Sequence, residues 1–185
     1  MSLLPLSGAR WKKAVGYPGA QRQGHRRNPQ RSFRRRWPPS QKRGPAGPGN
    51  RNMIKTSVIG LGAMGAGIAG NLHRAGLLAA AWNRTPERGQ AAAEQHGFRF
   101  TPHLQAAVQC ADLVITSVSA DEDLLEMTFR IAPLLQAGNV VLDTSTVSVQ
   151  TAQRAAEIYE AHGVHFLDAP VSGGKEGAER GTLSM

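Results

Sequence analysis

Three glycines spaced as G-x-G-x-x-G are the residues of this sequence whose arrangement points most directly to chemistry. Gly60, Gly62 and Gly65 follow a short apolar run and precede a segment with helical periodicity. At such a turn the first glycine permits the tight bend, the second lets a pyrophosphate approach the backbone, and the third lets the helix pack on the sheet. The amino end of the helix then faces the negative charge. The pattern predicts a dinucleotide-binding loop made of Gly60, Leu61, Gly62, Ala63, Met64 and Gly65.

The residues after the second predicted strand favour NADP over NAD. NAD sites usually carry Asp or Glu about 20 residues beyond the loop, where the carboxylate accepts hydrogen bonds from the ribose 2′-hydroxyl. This sequence has Asn83, Arg84 and Thr85 there. The guanidinium of Arg84 is a permanently charged fork suited to a 2′-phosphate, and its two neighbours can add neutral hydrogen bonds. The competing interpretation is that Arg84 is an ordinary surface arginine.

Polar side chains also follow two later strands, at the sheet edge where open α/β proteins bind ligands. Ser117 and Ser119 end one strand, and residues 143–146 (Asp-Thr-Ser-Thr) end the next. One hydroxyl of that quartet is expected to cap the following helix. Since four polar residues exceed what a cap requires, we expect a second role near the nicotinamide, and Ser117 is assigned to the cofactor site.

Residues 168–174 (Asp-Ala-Pro-Val-Ser-Gly-Gly) form a further candidate site. A predicted strand leads there into a proline-directed turn, and the bare backbone amides of Gly173 and Gly174 can converge on a carboxylate, with Ser172 as a hydroxyl donor. A plain Gly-Gly turn is the alternative. Lys175 is followed by acidic residues, which is typical of a solvated surface lysine, and no catalytic role is assigned to it.

Alternating strands and helices are expected to position these motifs. The predicted strands cover residues 54–59, 77–82, 98–100, 113–118, 139–142 and 164–167. The predicted helices cover residues 64–74, 86–96, 102–109 (with Thr101 as a candidate N-cap), 121–135 and 147–162. Strands that alternate with helices of this length indicate βαβ units. We therefore predict a Rossmann-type, doubly wound α/β domain with a parallel sheet over residues 53–185, incomplete at its C-terminal end.

The charge is divided between two unlike parts of the chain. The 185 residues carry a net charge of +9, but residues 1–52 contain 13 Lys and Arg with no Asp or Glu. Residues 53–185 contain the other nine basic residues and all 13 acidic ones, so nucleic-acid binding is not predicted for the domain. The Arg-, Pro- and Gly-rich segment 1–52 lacks apolar periodicity and is expected to be disordered. It is interpreted as a non-native extension, with a solvated tail, a nucleic-acid contact and a transit peptide as alternatives.

Composition also argues against several classes of protein. The single cysteine, Cys110, excludes an internal disulfide framework and a thiol-based zinc cluster. A membrane-spanning helix needs about 20 mainly apolar residues, and the sequence has no such stretch. The six histidines show no metal-ligand spacing, so no metal site is expected. We expect a cytoplasmic protein that does not enter membranes; mitochondrial targeting by residues 1–52 is the alternative.

Taken together, these motifs resemble the 3-hydroxyisobutyrate dehydrogenase family, the β-hydroxyacid dehydrogenases that also include 6-phosphogluconate dehydrogenase. Residues 59–65 (Ile-Gly-Leu-Gly-Ala-Met-Gly) are similar to its N-terminal signature, and residues 168–174 to its substrate-loop signature. Residues 83–85 resemble the NADP-using branch with the tartronate semialdehyde and glyoxylate/succinic semialdehyde reductases. The resemblance implies hydride transfer between NADP and a small hydroxyacid or semialdehyde. It places Thr146 near the nicotinamide ribose, and Ser172, Gly173 and Gly174 on the substrate carboxylate and hydroxyl.

The resemblance also concerns segments that this sequence does not contain. Family members carry a catalytic lysine on a later helix leading into an all-α C-terminal domain, through which they usually form homo-oligomers. The resemblance therefore implies that this lysine lies beyond Met185 and that the chain is an N-terminal fragment without appreciable turnover. Two alternatives stay open: an imine-reductase-type enzyme, which shares the architecture with another catalytic side chain, and a non-catalytic dinucleotide-binding module whose basic tail contacts nucleic acid.

Overall fold

A five-stranded, all-parallel sheet lies at the centre of the computed structural model, which describes residues 54–185; the predictions for residues 1–52 lie outside them. The strands are β1 (Thr56–Ile59), β2 (Leu78–Trp82), β3 (Leu113–Thr116), β4 (Val140–Asp143) and β5 (His165–Asp168). The helices are α1 (Ala63–Arg74), α2 (Pro86–His96), α3 (Leu104–Gln109), α4 (Asp121–Ile131, followed by a 3-10 turn over Ala132–Leu134), α5 (Val149–Ala161) and α6 (Gly174–Arg180). Among these helices, none is long and apolar enough to span a bilayer.

The strand order β2-β1-β3-β4-β5 places the functional loops side by side. The chain winds outward from β1 to β2 and then returns to place β3 on the other side of β1, which creates a switch point between β1 and β3. The last residues of neighbouring strands are in register: Ile59 pairs with Trp82 and Thr116, and Asp143 pairs with Thr116 and Asp168. The segments that follow all five strands therefore leave the same edge of the sheet.

Apolar layers cover both faces of the sheet, which confirms the predicted doubly wound fold. Because side chains alternate along a strand, Val58 and Ile115 face a layer formed with α1 and α2. Ile59 and Val114 face the opposite layer, formed with α3, α4 and α5. All four side chains are buried, as expected of a parallel sheet with helices on both sides.

The predicted strand over residues 98–100 is not formed. Phe100 makes one isolated parallel bridge to Ala81 on the outer side of β2, and Thr101 donates a backbone hydrogen bond to the Ala81 carbonyl at 3.0 Å. Pro102 follows at once and has no backbone N–H, so it cannot extend the ladder. The segment is anchored by the buried side chain of Phe98 rather than by strand pairing.

Both predicted helix caps are wrong by a few residues. Ser148, and not a residue of 143–146, caps α5, and its Oγ accepts from the backbone N–H of Thr151 at 3.3 Å. At α3 the N-cap is His103; the Thr101 hydroxyl accepts from the His103 backbone N–H at 3.3 Å. In the first case α5 begins only at Val149, so the N-cap position falls on Ser148, while Asp143, Thr144 and Ser145 are hydrogen-bonded in a buried network.

Helix α6 was not predicted, because the glycines in its sequence weaken the helical signal of its charged residues. It contains Gly174 and Gly177, and glycine disfavours helix formation. Its main packing partner is α1, where a Cβ built on Gly67 would lie 2.7 Å from the carbonyl carbon of Ala178. Tertiary contact with a glycine face of α1 therefore stabilises α6.

Candidate cofactor-binding site

The loop between β1 and α1 has the geometry that its glycines predict. Gly60 has a φ of +97°, a region that favours glycine, and a side chain there would overlap the carbonyl of Ser117. A Cβ on Gly65 would overlap the carbonyl of Gly60, so α1 can approach the loop only with glycine at this position. At Gly62, by contrast, no described atom lies within 4 Å of the added Cβ. The loop is closed towards the protein and open above Gly62.

The amino end of α1 fits the pyrophosphate of a dinucleotide. Gly62 occupies its N-cap position and has no side chain with which to accept from the first-turn amides. These N–H groups and the helix dipole attract an anion, and the open space above Gly62 would admit it. The residues present therefore fit the pyrophosphate of a nicotinamide dinucleotide, and the preference for NADP over NAD stays a prediction.

A cleft of about 150 Å³ adjoins this loop and brings several of the predicted residues together. Of the predicted site, Gly60, Leu61, Gly62, Asn83, Arg84, Thr85 and Ser117 line it. Four residues predicted for the cofactor, Ala63, Met64, Gly65 and Thr146, are not among its lining residues, and neither are residues 172–174, which were predicted for the substrate. Residues that sequence analysis missed also line the cleft: Trp82, Arg88, Asp123 and Met127.

Asn83 ties the end of β2 to the glycine loop. Its Oδ1 accepts from the backbone N–H of Leu61 at 2.9 Å, and its Nδ2 donates to the carbonyl of Thr85 at 2.9 Å. Both ends of the amide are thus engaged within the protein. The structure gives Asn83 a role in holding the loop, and a direct contact with the cofactor stays a prediction.

Arg84 is paired with carboxylates that come from another element. Its Nη1 lies 2.8 Å from Asp123 Oδ1 and 3.3 Å from Glu126 Oε2, both on α4. The hydrogen bond and the charge of Asp123 raise the pKa of Arg84 above its ordinary value. Glu126 also lies 3.2 Å from Arg130, whose guanidinium sits 5.4 Å from the centre of the Trp82 ring. An acidic group therefore stands near Arg84, although none follows β2 in the sequence.

A buried polar network joins the segments that follow β3 and β4. Asp143 is fully buried, and its Oδ1 accepts from the hydroxyls of Thr116 at 2.6 Å and Ser145 at 2.7 Å. The Ser145 Oγ in turn accepts from the backbone N–H of Val118 at 2.9 Å. Burial raises the pKa of the Asp143 carboxyl. Most of the quartet is thus structural; Thr146 is exposed, and its predicted place near the nicotinamide ribose stays a prediction.

The candidate substrate loop is held at both ends. Ser172 and Ser184 exchange backbone hydrogen bonds of 2.9 and 3.0 Å, so the Ser172 amide is engaged and its exposed hydroxyl is the group that could serve a ligand. Gly173 has a φ of +126° and Gly174 a φ of +62°, conformations that favour glycine. Gly174 also begins α6, which makes this loop the lead-in to a helix rather than a plain turn.

Asn71 on α1 holds α6, and with it the end of this loop. Its Nδ2 donates to the carbonyl of Ala178 at 2.6 Å, and its Oδ1 accepts from Arg74 at 2.8 Å. Arg74 donates to the carbonyl of Glu179 at 3.2 Å. These carbonyls belong to the last turn of α6, where helical partners are lacking. Between residues 54 and 185 there is no cluster of His, Cys, Asp and Glu that could hold a metal ion.

Comparison with known proteins relates residues 55–185 to the NAD-binding domain of 6-phosphogluconate dehydrogenase. An "uncharacterized oxidoreductase" of Shewanella frigidimarina is 37% identical over 136 residues, covering 72% of this chain and 47% of the relative. A probable 3-hydroxyisobutyrate dehydrogenase of Mycobacterium tuberculosis H37Rv is 34% identical, with 72% and 45% covered. The 2-(hydroxymethyl)glutarate dehydrogenase of Eubacterium barkeri is 33% identical, with 71% and 44% covered. The chain spans about half the length of the curated relatives it matches.

Solved structures of related enzymes are similar to about the same part of this chain. The 3-hydroxyisobutyrate dehydrogenase of M. tuberculosis with L-serine superimposes with a TM-score of 0.67 at 34% identity, covering 71% of this chain and 45% of that one. Psf3 in complex with NADP+ and 2-OPP gives a TM-score of 0.63 at 26% identity, with 69% and 46% covered. An imine reductase from Pseudomonas sp. gives a TM-score of 0.61 at 27% identity, with 68% and 44% covered.

Proposed function

The chain belongs to the family of the NAD-binding domain of 6-phosphogluconate dehydrogenase, and we propose that it is the cofactor-binding part of an NADP-preferring oxidoreductase of small β-hydroxyacids. Its relatives include dehydrogenases of the 3-hydroxyisobutyrate type. The reaction interconverts a hydroxyacid and its semialdehyde, as in 3-hydroxyisobutyrate or tartronate semialdehyde. The observation that carries this proposal is the cleft lined by both Gly62, where the space above the backbone is open, and Arg84.

Each part of the site has a task in this reaction. The amino end of α1 holds the pyrophosphate, Arg84 holds the 2′-phosphate, and Asn83 keeps the loop in place between them. The bound nicotinamide would supply or accept the hydride. Fixing the substrate carboxylate with Ser172 and the amides of residues 173–174 would align the reacting carbon with the nicotinamide.

The proton of this reaction is proposed to be moved by a lysine outside residues 1–185. The described part of the chain contains two lysines, and neither is placed for this task. Lys55 precedes β1 and lies at the amino edge of the sheet, opposite the cleft. Lys175 is well exposed and lies 3.7 Å from Glu179 on the same helix. We propose that the complete enzyme forms homo-oligomers, as the family resemblance implies.

Two measurements test the proposal. Calorimetric titration of the chain with NADPH and NADH should show binding of both, with NADPH bound more tightly. Protein purified from its native source, with its intact mass determined, should oxidise 3-hydroxyisobutyrate or reduce tartronate semialdehyde when nicotinamide absorbance is followed. Failure of the chain to bind either nucleotide would refute the cofactor assignment, and bound nucleotide without turnover of any small hydroxyacid by the native protein would refute the substrate class.

Imine reduction is the second candidate activity, favoured by the likeness to the Pseudomonas imine reductase. That enzyme is similar to this chain over the cofactor-binding domain, so this domain does not determine whether the substrate is an imine or a semialdehyde. The same native preparation distinguishes the two candidates when it is offered a cyclic imine and a semialdehyde in parallel with NADPH. Consumption of the imine alone would favour this second activity.

A further inference from the structure

We infer that Asp123 is a specificity-determining residue of the cofactor site, whose charge opposes the preference for a 2′-phosphate that Arg84 confers. The inference rests on the proposed function, since it concerns the choice between two forms of the same cofactor. It assigns to α4 the acidic group that NAD sites usually carry at the end of the second strand.

The position of Asp123 distinguishes it from the other acidic residues of α4. Its side chain is only 25% exposed and lines the same cleft as Arg84, and its Oδ1 lies 2.8 Å from the Arg84 Nη1. Glu126 lies one turn further along the helix, 3.3 Å from the same nitrogen, but is 47% exposed and is not among the residues that line the cleft. Asp123 is thus the carboxylate that a ligand on Arg84 would meet.

The charge of the ligand decides which cofactor is affected. A phosphate monoester carries a charge of about −1.5 to −2 near neutral pH, so a 2′-phosphate on Arg84 is repelled by the adjacent carboxylate. NAD carries a hydroxyl at this position and is not repelled in this way. The repulsion is stronger in a partly enclosed cleft than on an open surface, because fewer ions and water molecules screen it.

The geometry of the guanidinium makes this effect graded rather than absolute. Both carboxylates contact Nη1, whereas arginine offers five N–H donors spread over three nitrogens. A 2′-phosphate can therefore bind at another edge of the Arg84 fork while Asp123 stays in place. The carboxylate weakens NADP binding without preventing it, which predicts a site that accepts both cofactors.

The experiment compares Asp123→Asn with Glu126→Gln as the matched control. Asparagine keeps an oxygen acceptor for Arg84 and removes only the charge. For the wild-type chain and both variants, the Kd of NADPH and of NADH is measured by calorimetric titration at low salt and at about 0.5 M NaCl. Asp123→Asn should tighten NADPH by about tenfold at low salt and leave NADH within about twofold, and Glu126→Gln should change either Kd by no more than about threefold.

The outcomes separate this inference from the proposed function. An unchanged NADPH-to-NADH ratio in Asp123→Asn, or a shift towards NADH, would overturn the inference, as would a gain for NADPH that high salt does not reduce. Circular dichroism and thermal melting verify that the variant is folded, and Asp123→Ser replaces it if it is not. If the wild-type chain bound neither nucleotide, the proposed function itself would fail, and the inference with it.

Discussion

The contact between Asn71 and the last turn of α6 makes a quantitative prediction about what holds the candidate substrate loop. In Asn71→Ala three hydrogen bonds shorter than 3.0 Å are lost: those to the carbonyls of Ala178 (2.6 Å) and Gly67 (2.9 Å), and the one from Arg74 (2.8 Å). A hydrogen bond contributes about 0.5–1.5 kcal/mol net, so the three together should contribute about 1.5–4.5 kcal/mol to the free energy of unfolding. Because Asn71 is only partly buried, water can replace part of this loss.

The variant Asn71→Asp sharpens the prediction, since it keeps the size of the side chain and removes only the donor. A carboxylate oxygen would then face the carbonyls of Ala178 and Gly67, which are themselves acceptors. We expect Asn71→Asp to be at least about 1 kcal/mol less stable than Asn71→Ala, although Arg74 can offset part of the repulsion. A total loss of about 2 kcal/mol should lower the melting temperature by about 6–10 °C.

Denaturant unfolding and amide hydrogen exchange measure the two parts of this effect. Unfolding gives the loss of stability, and exchange shows whether residues 174–180 lose protection before the rest of the domain does. The reasoning is refuted if Asn71→Asp is as stable as the wild type, or if both variants lose stability while the exchange of α6 is unchanged. The second result would mean that Asn71 stabilises α1 and not the contact between the helices.

Three further predictions concern the cofactor loop, the cofactor preference and the buried carboxyl. Arg84→Ala should weaken NADPH binding much more than NADH binding in calorimetric titration, and equal losses would contradict a 2′-phosphate contact. Gly65→Ala should cost about 1–3 kcal/mol in denaturant unfolding because its Cβ overlaps the Gly60 carbonyl. Gly62→Ala should instead leave stability within about 1 kcal/mol and weaken both cofactors alike; the reverse pattern would contradict the assigned roles. Burial raises the pKa of Asp143 in the folded state, so its neutral form stabilises the fold at low pH and this contribution is lost as the pH rises through the folded pKa. Asp143→Asn should lack this decline when unfolding is measured from about pH 4 to pH 8, and parallel profiles for both proteins would contradict it.

The elements that could be predicted from the sequence are those whose signal is local. The helix over residues 86–96 begins at a proline and ends before a glycine with a φ of +77°, and its predicted bounds are those observed. The buried strands are likewise evident as short apolar runs between turn residues. Helix α6 has only a weak local signal, because Gly174 and Gly177 disfavour a helix, and it packs against Gly67, far away in the sequence.

The candidate site shows the same division between local and distant information. Residues 60–62 and 83–85 directly follow the strands that place them, so their position in the cleft could be predicted from the motif. Asp123 was missed because its distance from Arg84, 39 residues along the chain, gives no sequence pattern. The acidic first turn of α4, next to the switch point of the sheet, is the signal that could have indicated it.

The double hydrogen bonding of Asn83 has a consequence for attempts to change the cofactor. A designer who wants an NAD enzyme would first replace the residue that follows β2 with an acid. Here that residue, Asn83, also secures the glycine loop through Leu61 and Thr85, and an aspartate would keep the first bond and lose the second. Any gain in NAD binding would then be mixed with a loosened loop. We therefore expect cofactor choice to be changed with less disturbance at Arg84 and Asp123, whose side chains pair with each other at 2.8 Å and do not hold the glycine loop.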